Sequence, residues 1–85
     1  MKYKEFKSEV EELGFKVANR TSSIDYIIDG GPINWIVASV VRREVCVMST
    51  EYHRDMIDEE RLRQLFHILV KFSQTTYEAR CYADV

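Results

Sequence analysis

The stretch 34–49, NWIVASVVRREVCVMS, constrains the fold more than any other part of the chain. β-branched residues crowd 33–41 and Val45-Cys46-Val47, and such side chains suit a pleated, half-buried surface. The run breaks at Arg42-Arg43, so it predicts two strands of a hairpin. With a two-residue turn, Val40 faces Val45 and Ala38 faces Val47. Strand side chains alternate, so this register sorts the residues onto two faces. Ile36, Ala38, Val40, Val45 and Val47 make one face, wholly apolar. Trp35, Val37, Ser39, Val41, Glu44, Cys46 and Met48 make the other, more apolar than a wetted face should be. Arg-Arg is poor chemistry for a tight primed turn, which favours Gly or Asn. One more loop residue would flip the second strand.

The flanks supply the other elements. Tyr3, Phe6, Val10 and Leu13 recur at helical spacing, with Lys and Glu between them. Gly14 is a natural left-handed stop for that helix, and Phe15 beyond it can fold back. Residues 15–19 and 24–28 read as two strands. Asp29-Gly30-Gly31-Pro32 is a strong turn signal. It sets Tyr26 against Trp35 and Ile28 against Ile33, so Ile24, Tyr26 and Ile28 join the Trp35 face. Ile27 joins the Ile36 face, as does Asp25, which belongs at an edge. Residues 50–57 form a crossing loop. Asp58 caps a second helix whose buried stripe is Leu62, Leu65, Phe66, Leu69, Phe72 and Ser73, widened by Ile68. Thr75 and Glu78 have the spacing of a capping box for a short terminal turn. The predicted architecture is α+β: helix, four-stranded mainly antiparallel sheet, helix, a two-layer sandwich in one domain, 1–85. Both helices most simply cover the Ile36 face; one helix on each face would cover Trp35.

Within that framework the sequence resembles small, uncharacterised phage and prophage proteins of Gram-positive bacteria. The likeness rests on Glu12-Leu13-Gly14-Phe15-Lys16-Val17, Ile36-Val37-Ala38-Ser39-Val40, Leu65-Phe66 and Tyr77-Glu78-Ala79-Arg80. It implies a phage-derived origin and carries no mechanism. Members often have proline where this chain has Thr76, and many continue past the arginine matching Arg80.

Few functional signals compete. A net charge of −2 does not suggest a dedicated nucleic-acid binder. No apolar run approaches the ~20 residues of a membrane span, and the charged N-terminus lacks a signal-peptide core, so a cytoplasmic location is expected. Cys46 and Cys81 are expected as reduced thiols, the first packed in mid-strand. His53 and His67 lack neighbours at ligand spacing, so neither a metal nor another cofactor is expected. Gly30-Gly31 leads from strand to strand and is no phosphate cradle. With no nucleophile–base or acid pair, an enzyme is not expected. The remaining feature is the sheet face bearing Tyr26, Ile28, Trp35, Val37, Cys46 and Met48. A contiguous exposed apolar patch of that kind usually marks an interaction site. It predicts a homodimer or a complex with a phage or host protein. The alternative is single-stranded nucleic acid, with Arg20, Arg42, Arg43 and Arg54 on phosphates and Trp35, Tyr26 or Tyr52 stacking bases.

Overall fold

The computed structural model describes residues 1–19, 21–29, 35–50 and 58–84. Arg20, Gly30-Gly31-Pro32 of the expected turn, and most of the expected crossing loop, with Tyr52, His53 and Arg54, lie outside them. The element order is α1 (Tyr3–Glu12), β1 (Lys16–Ala18), β2 (Ile24–Ile28), β3 (Ile36–Val41), β4 (Met48–Thr50), α2 (Glu59–Ser73) and a single-turn α3 (Tyr77–Arg80). A 3-10 turn, Tyr82–Asp84, follows. The strands form one antiparallel sheet in the order β1-β2-β3-β4. This is the α+β fold expected from the sequence.

Helix α1 closes as its sequence requires. Gly14 takes φ +90, its N–H donates to Glu11 O at 2.9 Å, and Phe15 N–H reaches back to Val10 O at 3.3 Å. This pair of bonds is the Schellman motif, and it brings Phe15 onto Val10 in the core. Arg61 of α2 secures the same corner: its Nε donates to Leu13 O at 2.9 Å and its guanidinium lies 4.5 Å from the Phe15 ring centroid. A cation is well placed at a helix C-terminus. Phe6 and Phe72 stack with centroids 4.0 Å apart, joining α1 to α2. Ile27, Ala38 and Val40 share one buried cluster with Phe6, Val10, Leu65, Leu69 and Phe72. Both long helices therefore cover the same sheet face.

Four local expectations are corrected. Phe66 is 48% exposed, because Leu65, Leu69 and Phe72 already span the buried arc and Phe66 stands one residue off it. Asp58 occupies the N-cap position of α2 with extended backbone, yet its side chain makes no capping bond. Thr76, not Thr75, caps α3 by accepting from Ala79 N; the Thr75 hydroxyl is already donated to Lys71 O at 3.0 Å. Asp25 does not lie at an edge. It is fully buried on an interior strand opposite Val40.

The two largest departures are registers. In the β2–β3 pair Tyr26 meets Ser39, and Ile27 meets Ala38, but Ile28 meets Ile36. Val37 is the extra residue of a β-bulge and turns into the core with Ala38. In the β3–β4 pair Val40 meets Met48, not Val45. That slip of three residues is odd, so it reverses the faces of the second strand.

Leu69→Ala should cost about 2–5 kcal/mol through lost burial plus a cavity. Phe66→Ala should cost below about 1 kcal/mol, because much of that ring already meets solvent. Urea unfolding of the two variants checks the pair; equal losses would contradict the assigned stripe.

Candidate functional site: the open sheet face

The registers define what the sheet's other face carries. Lys16 and Ala18 of β1 align with Ile28 and Tyr26. Ile24 and Tyr26 align with Val41 and Ser39, and Ile28 with Ile36. Ser39 aligns with Ser49, and their hydroxyls lie 2.9 Å apart. Val41 N–H donates to Val47 O at 3.1 Å, which carries the β3–β4 register one pair further. Val47 therefore stands beside Val41 on this face and is 39% exposed. The result is a surface of Ile24, Tyr26, Ile28, Ile36, Val41 and Val47 on the side away from α1 and α2. An antiparallel sheet with one wetted face ordinarily alternates apolar-in and polar-out. Here the second face is also largely apolar, broken by the Ser39–Ser49 pair and by Lys16 at its edge.

The residues expected to form this surface are dispersed by the two register changes. Tyr26 and Ile28 lie on it, half-buried. Trp35 is half-buried just ahead of β3, out of the Tyr26 register, and its carbonyl accepts from Asp29 N at 2.9 Å. Val37 is wholly in the core, moved there by the bulge. Met48 packs against the core, on the Val40 face. Cys46 lies in the loop before β4, exposed, with φ +64; the packed mid-strand position expected of it is thus corrected. Val45 and Val47, expected inside, are exposed. Ile36 was expected inside and lies outside, half-buried. Ile36 and Val47 are the members that sequence reasoning misplaced. For Ile36 the missing signal was the bulge, which no residue pattern marks; for Val47 it was the length of the β3–β4 loop, which shifts that register by an odd number of residues.

The loop displaces the expected tight turn because polar groups claim it. Arg42 does not sit at a hairpin tip. Its Nε and a terminal nitrogen donate to the same Asp25 carboxylate oxygen at 3.0 and 2.8 Å. The other oxygen accepts from the Tyr82 hydroxyl. Arg42 also covers the Tyr82 ring at 4.5 Å. Burial, reinforced by the hydrogen bond to Asp25 and its negative charge, pushes the Tyr82 phenol well above its ordinary value; nearby Arg80 opposes this. Tyr82 thus donates as a neutral phenol, which is what a buried carboxylate needs.

Other candidates offer less chemistry. A shallow pocket of ≈ 240 Å³ is lined by Thr50, Leu62, Arg63, Phe66 and His67. Arg43 lies over Tyr77 at 4.7 Å, and Arg63 leans 3.9 Å from Glu60. With Arg42, Arg61 and Arg80 also engaged, the described arginines serve intramolecular contacts. Among the described residues no cluster of His, Cys, Asp or Glu could hold a metal ion, and no helix is long and apolar enough to cross a membrane. Comparison of the chain with protein-family models, curated proteins and solved structures finds no match.

The Tyr82 hydroxyl should be measurable as stability. Its folded pKa lies above the unfolded value near 10. The native state then holds the proton longer, so its contribution is complete below that pH and declines as pH rises beyond it. Tyr82→Phe removes that share of the alkaline decline. Near neutral pH it costs about 1–3 kcal/mol, by leaving a buried carboxylate oxygen short of a donor. Denaturation midpoints of both chains from neutral to alkaline pH check this; parallel curves without an offset would contradict it.

Proposed function

We propose that this protein is a small cytoplasmic interaction module that pairs with a second copy of itself through the open sheet face. The observation that carries the reading is the apolar character of that face, Ile24, Tyr26, Ile28, Ile36, Val41 and Val47, opposite a sheet side that two helices already cover. Leaving such a patch in water forgoes hydrophobic gain, and burying it against another apolar sheet recovers it.

Charge favours a second copy as the occupant. The one charged side chain that the strand registers place on this face is Lys16, on the edge strand β1. A twofold axis brings each surface against itself, so a charged centre would repel its own image. An uncharged centre, Tyr26 beside Ser39, meets no such penalty. Two such sheets stack about 10 Å apart, as in β-sandwiches. The free thiols Cys46 and Cys81 fit a reducing compartment. The resemblance to small phage and prophage proteins supports a phage-derived origin, with a phage or host protein as the competing partner.

Sedimentation equilibrium at micromolar to millimolar concentration tests the reading. The native chain should show a dimer in exchange with monomer. Tyr26→Glu places charge at the centre of the face and should shift the mass to monomer with unchanged circular dichroism. A native chain monomeric at all concentrations, or a dimer unaffected by the substitution, would overturn it.

A further inference from the structure

The segment joining β3 to β4 presents an apolar tip whose shape is imposed from outside it. Val45 and Val47 are exposed there, and Cys46 between them holds a left-handed backbone that side-chain-bearing residues seldom adopt. Such a conformation persists only where surrounding contacts enforce it. Cys46 N–H donates to Ser73 O at 2.8 Å, tying the tip to the C-terminal end of α2. The larger restraint is Arg80, fully buried in the C-terminal segment. Its guanidinium donates to Val41 O at 2.9 Å, Arg42 O at 2.8 Å and Glu44 O at 3.2 Å, all at the loop. The same group holds Ser73 O at 3.1 Å and Thr75 O at 2.8 Å. All five donors of the planar fork are used. A lysine offers three donors from one point and cannot span this set.

We infer that Arg80 is a positioning residue for self-association: it fixes the 42–47 loop so that Val45 and Val47 extend the open sheet face into the contact with the second copy. The inference rests on the self-association reading and adds a requirement of size. Strand spacing and rise give the sheet face a footprint of roughly 300 Å². A standard specific interface takes about 800 Å² from each partner. A stable pairing therefore needs surface beyond the strands. Val47 continues the face at its β3–β4 end, and Val45 lies two residues further along the same held loop. A loop fixed before binding loses less freedom on association than one ordered by it.

The test uses the full chain with Arg80→Lys, Val47→Ser and, as a control for stability alone, Leu69→Ala. The readouts are hydrogen exchange of the Cys46 amide and the dimer dissociation constant from sedimentation. Arg80→Lys should speed Cys46 exchange by about tenfold or more while Ile27 in the sheet stays protected, and should weaken the dimer by about tenfold. Val47→Ser should weaken the dimer and leave Cys46 exchange unchanged. Leu69→Ala should lower the melting temperature and move neither. Unchanged Cys46 exchange in Arg80→Lys, or full-strength pairing of both loop variants, would overturn the inference. If Arg80→Lys does not fold, the native chain and Val47→Ser still decide it: rapid native exchange at Cys46, or a dimer indifferent to Val47→Ser, overturns it. A monomeric native chain, or a dimer that Tyr26→Glu leaves intact, fails the self-association reading itself, whereas a dimer that Tyr26→Glu dissociates but Val47→Ser and Arg80→Lys leave at full strength fails this inference alone.

Discussion

A guanidinium buried in an 85-residue chain must find a complete set of acceptors, and here the backbone supplies it. Arg80 collects carbonyls from the end of β3, from the following loop and from the end of α2. Charge-assisted bonds of this kind are stronger than neutral ones, and losing a partner would leave a costly orphan in the interior. This one side chain explains why the chain does not turn sharply at Arg42-Arg43. Carbonyls 41, 42 and 44 face the guanidinium, Arg42 turns in to Asp25, and the chain needs six residues to reach β4. The length of that loop then sets the β3–β4 register, and the register decides which valines meet solvent.

Two polar clusters thus sit at one end of an otherwise apolar core. Asp25, Arg42 and Tyr82 join β2, the loop and the C-terminal turn. Tyr82 also lies 4.8 Å from Tyr3, so the same turn closes over α1. Buried polar groups are compatible with stability when every member is satisfied, and they tolerate few alternative arrangements. A chain that burdens one end of its core in this way gains a fixed loop at the adjoining rim. The β3–β4 register that places Val47 beside Val41 on the apolar sheet face is thus set at the same end of the core.

The elements themselves were legible because their signals are local. Tyr3, Phe6 and Val10 keep helical spacing, and Gly14 stops α1 by the geometry that its missing side chain allows. Ile24–Ile28 alternates as a strand should, and its bounds follow. The inward sorting of Ile27, Ala38 and Val40 survived because the β2–β3 pairing moved by an even number of residues. What failed depended on distant partners. The bulge at Val37 interrupts the alternation, and sequence alternation alone placed Val37 outside and Ile36 inside. Arg80 lies 36 residues from Glu44, and no pattern connects them. Cys46 and Met48 were misplaced for that reason, since their face follows from a loop length that Arg80 determines. Phe66 carried an apolar signal at a position one step off the buried arc, where periodicity counts it as core.

Residue-resolved dilution tests whether the open sheet face and its adjoining loop form a self-association surface. Amide chemical shifts would be followed from millimolar to low micromolar concentration. Shifts should move with concentration at Ile24, Tyr26, Ile28, Ile36, Val41 and Val47, while Phe6, Val10 and Leu69 on the covered side stay fixed. Concentration-dependent shifts centred on Phe66 and His67 instead, or none at all, would contradict it.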